Sequence, residues 1–469
     1  MSVQIPIKLF TPSHIKKLNQ DLHVKPIDTS NSAKSKFFAQ SFQKKSNIVE
    51  AFDTFQHQQK EYACIPLSYY YHNLSDLECV PSEGKEVTTL SFKGDLLPRQ
   101  VQVKNEIVEI LNRTNTVVLS LHTGFGKTVM ALYLASKIGE RTVILCHRRI
   151  IIDQWVNSIQ KYLPQASYAI LGEDVKKKEL HLFKNRVNDD QSPDILICNV
   201  INVPKIDREF YKTFGLVIVD EIHTICTESF SKSLRFIFPN YLIGLSATPF
   251  RSDGMDRLIE LFCGPEMVIR KMEKHFNVYK LKTNFKPDPK FNISGTLDWN
   301  SVLEAQSIDK PRNQLIVDLC RYFTNRNILV LVKRKEHALS LKYMIESMSK
   351  SKGEVDVFMD TQKIFNYDCR ILIATYSKGG VGFDHPKLDM LISGADVQEN
   401  FMQYIGRIFR RDDVSPIYID LVDDMNTIKK HSTERLKICK EIGGHVKEFT
   451  KSFPDFTRMI QLLNRNHLF

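Results

Sequence analysis

The chain has 469 residues, of which 42% are hydrophobic and 25% are charged, proportions typical of a globular protein with two or three domains. No apolar run reaches the ~18–20 residues that span a bilayer, and the first residues lack the layout of a signal peptide, so an intracellular protein is expected. The nine cysteines are scattered without a C-x-x-C pair, which disfavours a disulfide framework and a zinc module.

The net charge of +11 is concentrated towards the two ends of the chain. Residues 1–48 contain eight Lys and two Asp, and residues 427–469 contain nine Lys or Arg and four Asp or Glu. Basic segments can contact nucleic-acid phosphates. Solvated termini explain the same charges equally well, so the charge alone leaves both interpretations open.

Residues 1–95 are predicted to form an N-terminal accessory domain. Phe37, Phe38 and Phe42 lie at near-helical spacing among lysines, which permits a basic surface that stacks nucleic-acid bases. An amphipathic helix that packs these rings on a core explains the spacing better. The tyrosines at 69–71 are likewise interpreted as part of a core strand rather than as a platform for bases.

From about residue 96, short β-branched runs alternate with helical stretches. The predicted strands are Thr116–Leu121, Thr142–Cys146, Ile195–Val200, Leu216–Val219 and Leu242–Leu245, then Ile328–Val332, Val355–Met359, Arg370–Thr375, Met390–Ser393 and Pro416–Val422. This alternation predicts βαβ units and parallel sheets covered on both faces. The expected fold is therefore α/β with two similar lobes in tandem, at 96–265 and 311–424. A connector is predicted at 266–310, and a basic helical tail at 425–469.

A glycine-rich turn follows the first of these strands, at Thr123, Gly124, Phe125, Gly126, Lys127 and Thr128. Between a strand and a helix, such a turn directs backbone N–H groups and a positive helix end towards one point, where nucleotide phosphates bind. Lys127 would place its charge on the β- and γ-phosphates, and Thr128 its hydroxyl on Mg²⁺. The general pattern has glycine at the position of Leu121, so a chance glycine turn stays open on this evidence alone.

Two carboxylates end a later apolar run, where a ligand-binding edge of a parallel sheet is expected. Asp220 is predicted to hold Mg²⁺, and Glu221 to orient and deprotonate an attacking water. A helix cap is the alternative for such a pair. Ser246 and Thr248 follow the next strand, where their hydroxyls would lie beside the carboxylates and report the nucleotide state to the second lobe.

The second lobe carries Gln403, Arg407 and Arg410, spaced i, i+4 and i+7. On a helix these three side chains share one face. Paired arginines usually form surface ion pairs. The alternative is an arginine finger, which neutralises charge on the γ-phosphate in the transition state and contributes about 10³–10⁵ in rate.

In this order, the segments resemble the motifs of superfamily 2 helicases, two-lobed motors whose lobes each resemble the RecA core. The matching segments are the adenine-sensing pair Arg99 and Gln100, the glycine loop, the DExH-like sequence Asp220-Glu221-Ile222-His223, the S-A-T motif at Ser246–Thr248, the glycine-and-aspartate motif from Ala374 to Asp384, and the Q-x-x-G-R-x-x-R motif from Gln403 to Arg410. The resemblance covers about residues 96–424. It implies that Asp384 contacts ATP, that Thr375 contacts nucleic acid, and that His223 couples the two.

A narrower resemblance rests on the S-A-T-P-x-R-x-D-G sequence at 246–254. This form is similar to the repair and transcription helicase XPB, to phage recombination helicases and, most of all, to the poxvirus-type transcript-release DNA helicases of large cytoplasmic DNA viruses. It implies that Arg251 and Asp253 act in duplex opening.

Two further segments depart from many members of this family. The family's equivalent of His147, Arg148 and Arg149 grips backbone phosphates, but His147 stands where many relatives have proline. A plain strand-to-helix cap also explains this segment. Residues 360–369 are too few for a helix that many relatives insert there, so a minimal second lobe is expected.

The resemblance implies an ATP-dependent motor that uses ATP and Mg²⁺, with Mg²⁺ held by Thr128 and Asp220 and no structural metal. DNA is the preferred substrate and RNA the alternative, with 3′→5′ movement in transcript release, repair or recombination. RNA polymerase or transcription factors are expected partners, no membrane contact is expected, and the host cytoplasm or the virion is the expected location. A duplex translocase, an RNA helicase, a non-hydrolysing scaffold and, least supported, a metabolic P-loop kinase remain as alternatives.

Overall fold

The computed structural model describes residues 1–449 except 26–47, 58, 85, 88, 123, 173–191, 248–253, 294, 349–352, 360, 361, 363, 381–384, 399 and 412. The chain divides into two compact units, unit 1 (Met1–Arg270) and unit 2 (Lys271–Phe469). Predicted roles for Phe37, Phe38, Phe42, Thr123, Thr248, Arg251, Asp253 and Asp384 lie outside the described residues.

Unit 1 contains twelve strands and eight α-helices in its described part. The strands are β1 (Ser2–Pro6), β2 (His23–Val24), β3 (Val49–Glu50), β4 (Asp53–His57), β5 (Lys60–Pro66), β6 (Thr116–Leu121), β7 (Thr142–Cys146), β8 (Tyr168–Leu171), β9 (Ile195–Asn199), β10 (Leu216–Asp220), β11 (Tyr241–Ser246) and β12 (Met267–Arg270). The helices are α1 (Pro12–Asp21), α2 (Leu67–Asn73), α3 (Pro98–Thr114), α4 (Lys127–Ile138), α5 (Arg149–Tyr162), α6 (Arg208–Tyr211), α7 (Ile222–Ile225) and α8 (Asp256–Cys263).

Seven of these strands form a parallel sheet in the order β12-β6-β11-β10-β7-β9-β8. Strands β6, β7 and β9 are largely apolar runs without alternation and are buried along their whole length, as expected of a sheet with helices on both faces. Because all seven strands run in one direction, β6, β10 and β11 end at the same edge. That edge carries the glycine loop, the acidic pair and Ser246.

The described part of the first 95 residues shares a core with this sheet. Strands β1, β5 and β4 form an antiparallel sheet, and its buried side chains belong to one hydrophobic cluster with residues of β7, β10 and α8. The tyrosines at 69–71 lie in α2, not in the predicted strand, and Tyr69 and Tyr70 are buried as expected of core residues. The segment follows Pro66, which begins the helix, and three tyrosines in a row carry no helix-or-strand period.

Unit 2 contains seven strands and six α-helices among the residues that the structure describes. The strands are β13 (Phe276–Lys282), β14 (Ile328–Val332), β15 (Val355–Phe358), β16 (Ile371–Thr375), β17 (Met390–Ser393), β18 (Ile417–Val422) and β19 (Gly444–Phe449). The helices are α9 (Trp299–Ile308), α10 (Lys310–Tyr322), α11 (Lys335–Met348), α12 (Tyr376–Gly380), α13 (Phe401–Ile405) and α14 (Asn426–Glu441). All seven strands pair in parallel, in the order β15-β16-β14-β17-β18-β13-β19. Two RecA-like lobes in tandem, the predicted α/β class, are thereby confirmed.

The predicted connector at 266–310 instead contributes one strand to each of the two sheets and also contains helix α9. Its first residues form β12 of the unit 1 sheet, and β13 lies between β18 and β19 in unit 2. The side chains of β13 alternate in burial, with Phe276 and Val278 buried and the lysines half-buried. Those lysines made the strand look like a polar linker.

The predicted basic tail at 425–469 also differs from the structure, because α14 and β19 are integral to unit 2. Arg435 of α14 is 1% exposed and donates to Asp420 of β18 from Nε at 3.0 Å and from Nη2 at 2.7 Å. A buried arginine is stable only when a carboxylate compensates its charge. Part of the positive charge that was assigned to a basic tail, that of Arg435, therefore lies inside unit 2. None of the helices in the described part of the chain has the length and apolarity that crossing a bilayer requires.

Candidate active site

Two glycines shape the loop between β6 and α4. Gly124 has φ +84° and Gly126 has φ +100°, values that favour glycine over residues with a Cβ. Gly126 is constrained by a second factor besides its φ, because a Cβ there would lie 2.5 Å from Nε2 of Gln100. At Gly124 there is open space, so only the backbone conformation requires glycine.

Gln100 fixes this loop to the start of α3. Its Nε2 donates to the carbonyl oxygen of Phe125 at 2.9 Å, and its Oε1 accepts from the backbone N–H of Leu97 at 2.9 Å. The side chain is 4% exposed. Arg99 places its guanidinium carbon 5.5 Å from the centre of the Phe125 ring. The predicted adenine-sensing pair thus lies against the phosphate loop, and Gln100 positions that loop.

Lys127 begins α4 directly after Gly126. Its Nζ donates to the carbonyl oxygen of Leu121 at 2.9 Å, which holds the ammonium group at the end of β6. Thr128 follows in the first turn of the same helix and is half-buried. A helix N-terminus with a lysine at its mouth attracts anionic groups.

Asp220 ends β10 and accepts a hydrogen bond from Nε1 of Trp155 at 2.9 Å. Burial and the neighbouring Glu221 raise the pKa of Asp220 from 3.8 to about 6, against the opposing effects of Trp155 and Lys127. Oxygen ligands suit Mg²⁺, and a carboxylate held in so unfavourable an electrostatic position would be stabilised by a cation. Asp220 and the Thr128 hydroxyl therefore fit a Mg²⁺ bound together with nucleotide phosphates. The described residues contain no group of three or more His, Cys, Asp or Glu that could hold a metal by themselves.

Glu221 has a left-handed backbone, with φ +51° and ψ +58°. Non-glycine residues adopt this conformation at a cost and most often at functional sites. The turn starts α7 and leaves one carboxylate oxygen of Glu221 3.5 Å from Nδ1 of His223. The strained backbone thus places the acid beside the last residue of the DEIH sequence.

His223 connects the acidic pair to the next strand. Its Nδ1 lies 2.9 Å from Oγ of Ser246, the last residue of β11. The two strands are adjacent and parallel, with Asp220 opposite Leu245, so their ends are held in register. The predicted proximity of Ser246 and the acidic pair is observed.

His147 connects the same turn to β7. Its Nδ1 lies 3.0 Å from Oγ1 of Thr224, whose hydroxyl also donates to the backbone carbonyl of Glu221 at 2.8 Å. Burial, with the charges of Arg148 and His223, lowers the pKa of His147 to about 4. The half-buried His147 is therefore linked through Thr224 to the turn that carries Glu221. The exposed Arg148 and Arg149 are the members of this segment that can reach a phosphate backbone.

In unit 2, Gln403 lies on α13, which ends at Ile405, and Arg407 lies in the 3₁₀ turn Gly406–Ile408. Arg410 follows after the helical geometry has ended. The prediction that one continuous helix presents all three side chains on one face is therefore wrong for Arg410. Arg407 is 8% exposed. Thr375 ends β16, and its hydroxyl lies 3.1 Å from that of Ser377.

Comparisons with known proteins decide the family. Residues 93–251 match the family described as "Type III restriction enzyme, res subunit". The protein named helicase 161L of Invertebrate iridescent virus 6 is 37% identical over 409 residues, which cover 83% of this chain and 90% of that protein. The chain belongs to the superfamily 2 helicases. It is thus an ATP-dependent nucleic-acid helicase, and the non-hydrolysing scaffold and the metabolic kinase are excluded.

A second viral relative and a solved structure are also similar to this helicase. The protein named ATP-dependent RNA helicase L396 of Acanthamoeba polyphaga mimivirus is 26% identical over 449 residues, covering 90% of this chain and 80% of that one. The structure of S. cerevisiae Dbp5 bound to RNA and ADP BeF3 superposes with a TM-score of 0.52 at 15% identity, covering 79% of this chain and 97% of that one. The latter shows that the helicase shares its fold.

Two residues of the helicase site had no predicted role. Trp155 lies among the buried residues of α5, and Thr224 lies one position beyond the DEIH sequence. A usable signal existed for Trp155, because a buried indole N–H needs an acceptor. Nothing in the sequence indicated that its acceptor lies 65 positions away.

Proposed function

We propose that this helicase is a DNA motor of a large DNA virus that moves 3′→5′ in transcript release, repair or recombination. The S-A-T-P-x-R-x-D-G sequence and the iridescent virus relative support this proposal. RNA polymerase or transcription factors are the proposed partners, and the host cytoplasm or the virion is the proposed location, on the same grounds.

The single observation that carries the motor function is the turn at 221–224. It holds the proposed catalytic acid and contacts the ends of two neighbouring strands, through His223 to Ser246 and through Thr224 to His147. If Glu221 shifts when ATP is hydrolysed, the turn would move Ser246 and His147 with it. The family resemblance assigns the segments of these two residues to coupling and to strand binding. Coupling requires such a shared element with two arrangements.

In the proposed reaction, Glu221 orients a water and takes its proton as the water oxygen attacks the γ-phosphorus. The bond from that phosphorus to the bridging oxygen breaks, and ADP leaves. Lys127 holds the phosphates at the start of α4. Mg²⁺, when bound by Asp220 and Thr128, would neutralise phosphate charge.

Unit 2 is proposed to supply Gln403, Arg407 and Arg410 to the same reaction. The guanidinium groups of Arg407 and Arg410 would stabilise the charge that develops on the transferred phosphoryl group. This role rests on the Q-x-x-G-R-x-x-R resemblance. Because Arg410 follows the 3₁₀ turn, the direction of its side chain is not set by the face of α13.

The experiment that tests the proposal compares ATPase rates with single-stranded DNA, duplex DNA and RNA of equal length. We expect the largest stimulation with single-stranded DNA, and strand separation only on a duplex with a 3′ overhang. Glu221→Gln is the matched control, because it keeps the side-chain shape and removes the base. Stimulation by RNA alone would overturn the DNA assignment.

An RNA helicase is the second candidate, and the mimivirus relative named an RNA helicase favours it. A duplex translocase is the third. It would hydrolyse ATP on duplex DNA and displace a bound transcript or triplex strand without separating the duplex.

A further inference from the structure

Unit 2 contains a cavity of about 360 Å³ on the carboxyl side of its sheet. This volume lies within the range of about 300–1,000 Å³ that small-molecule sites occupy. The side chains that matter for its chemistry are Trp299, Lys333, Tyr376, Asn400, Tyr404 and His431.

The cavity lies where the strand order of the sheet reverses. From β14 the chain moves to β15 and returns to β16 on one side, and then crosses to β17 on the other side of β14. Lys333 directly follows β14, Tyr376 directly follows β16, and Asp396 lies just beyond β17. In open α/β sheets, ligands bind outside the carboxyl ends of strands at such a point.

Three aromatic side chains, Trp299, Tyr376 and Tyr404, contribute to a lining that also carries polar groups. Tyr376 and Tyr404 are buried, with ring centres 4.9 Å apart in an edge-to-face arrangement. The Tyr376 hydroxyl donates to the carbonyl oxygen of Ala395 at 2.6 Å, so this residue offers its ring to the cavity. Trp299 is half-buried and packs edge-to-face on His431 at 5.5 Å. Aromatic walls of this kind bind planar rings by stacking.

Among the lining residues that the structure describes, Asp396 is the one carboxylate, and its two oxygens are bonded within unit 2. Asp396 accepts from Nη1 of Arg435 at 2.8 Å and contacts Nδ1 of His431 at 2.5 Å. Both carboxylate oxygens of Asp396 are therefore engaged by buried partners, and Arg435 is shared with Asp420. The exposed Lys333 and the exposed amide of Asn400 complete the lining. Lys333 offers a cation for a phosphate, and Asn400 offers a hydrogen-bond donor and an acceptor for the edge of a heterocycle.

We propose that this cavity receives one nucleobase of the bound single strand, turned out of the base stack. The base stacks on Trp299 and Tyr404, Asn400 contacts its edge, and Lys333 contacts the adjoining phosphate. The inference rests on the proposed function, since it requires that a single strand be the track. A site for phosphate alone would not need three aromatic side chains.

Trp299 provides the readout, because the only other tryptophan of the chain, Trp155, is 1% exposed in unit 1. The probe is an oligothymidylate of about twelve nucleotides, within the usual site size, compared with an oligonucleotide of equal length that has abasic sugars throughout. We expect the oligothymidylate to quench tryptophan fluorescence and the abasic strand to leave it unchanged. The Trp299→Leu variant should show no quenching.

Affinities separate base from phosphate recognition. Trp299→Leu should weaken oligothymidylate binding about tenfold, the size of one base–aromatic stack, and leave binding of the abasic strand unchanged. Lys333→Ala should weaken both equally. Asn400→Gly keeps the left-handed backbone of Asn400, whose φ is +59°, and should reduce only oligothymidylate affinity. It serves as the second variant if Trp299→Leu does not fold.

Equal effects of Trp299→Leu and Asn400→Gly on both strands, with no quenching in the unaltered protein, would overturn the inference. That result would leave the proposed function intact if both strands still stimulate ATPase activity. Failure of every strand to bind and to stimulate would count against the proposed function itself.

Discussion

The indole of Trp155 and the carboxylate of Asp220 form a hydrogen bond of 2.9 Å, Nε1 to Oδ2. It joins a residue that is 1% exposed on α5 to the acid at the end of β10. The bond opposes the rise in the pKa of Asp220 caused by burial and by Glu221. A buried core side chain therefore keeps the predicted Mg²⁺ ligand closer to its ionised form.

Replacing Trp155 with phenylalanine tests this relationship. Without the indole N–H, the pKa of Asp220 rises further above about 6, and Mg²⁺ must compete with a proton. We expect the Mg²⁺ concentration for half-maximal ATPase activity to rise several-fold at pH 6 and to change little at pH 8, where Asp220 is ionised in both proteins. An equal rise at the two pH values would indicate general damage to the packing.

Asp220→Asn is expected to stabilise the metal-free protein at neutral pH while abolishing turnover. Because the folded-state pKa of about 6 is raised above 3.8, the stability contributed by this group is present below pH of about 4 and is lost as the pH rises through about 6. The gain in the free energy of unfolding is at most about 3 kcal/mol at pH 7.5.

Thermal unfolding at pH 4.5 and 7.5, with and without Mg²⁺ and ATP, measures this effect. The difference from the unaltered protein should fall to about 1 kcal/mol at the lower pH, because an aspartate with the unfolded-state pKa of 3.8 is already largely ionised there. Asp153→Asn, at an exposed position of α5, is the matched control for the change in charge. If Asp220→Asn lowers the unfolding temperature at pH 7.5, the negative charge of Asp220 does not destabilise the metal-free protein, which would contradict its raised pKa.

Much of this site could be predicted because its parts are contiguous in sequence. The glycine loop and the acidic pair each need only a strand, a turn and a helix start, which apolar runs and glycines indicate. The contacts of Trp155 with Asp220, and of His147 with Thr224, join residues 65 and 77 positions apart. Such contacts depend on strand order, which no local pattern carries.

Gly126→Ala is expected to damage the phosphate loop more than Gly124→Ala. Both positions have positive φ, which costs about 1–2 kcal/mol for alanine, but only at Gly126 would the new Cβ meet Nε2 of Gln100, at 2.5 Å. Thermal unfolding and ATP affinity measure the difference. The double variant with Gln100→Ala should recover part of the stability lost by Gly126→Ala, whereas purely additive losses would exclude the steric cause.

Arg410→Ala is expected to reduce the rate of ATP hydrolysis by about 10³-fold or more with only a few-fold change in ATP affinity. Single-turnover hydrolysis and nucleotide binding separate the two effects. Arg411→Ala is the neighbouring control, because Arg411 forms ion pairs with Asp389 and Asp413, and it should keep its hydrolysis rate. A loss of ATP affinity that explains the whole defect of Arg410→Ala would contradict the finger role.

The places of strand β13 and helix α14 inside unit 2 could not be predicted from the sequence, because both carry basic residues within the folded unit. In β13, half-buried lysines alternate with core residues, which resembles a polar linker unless the alternation is counted. In α14, a basic helix carries one wholly buried arginine bonded to Asp420. A sequence shows charge, but it does not show which charges are compensated inside the protein.

The most direct test of the central claim compares ATP hydrolysis with strand separation in Ser246→Ala. This change removes the hydroxyl that contacts His223 at 2.9 Å and leaves Asp220 and Glu221 in place. We expect a DNA-stimulated ATPase rate within about threefold of that of the unaltered protein, with at least about tenfold fewer base pairs opened per ATP. Hydrolysis and strand separation that fall in equal proportion, or that both stay unchanged, would contradict this expectation.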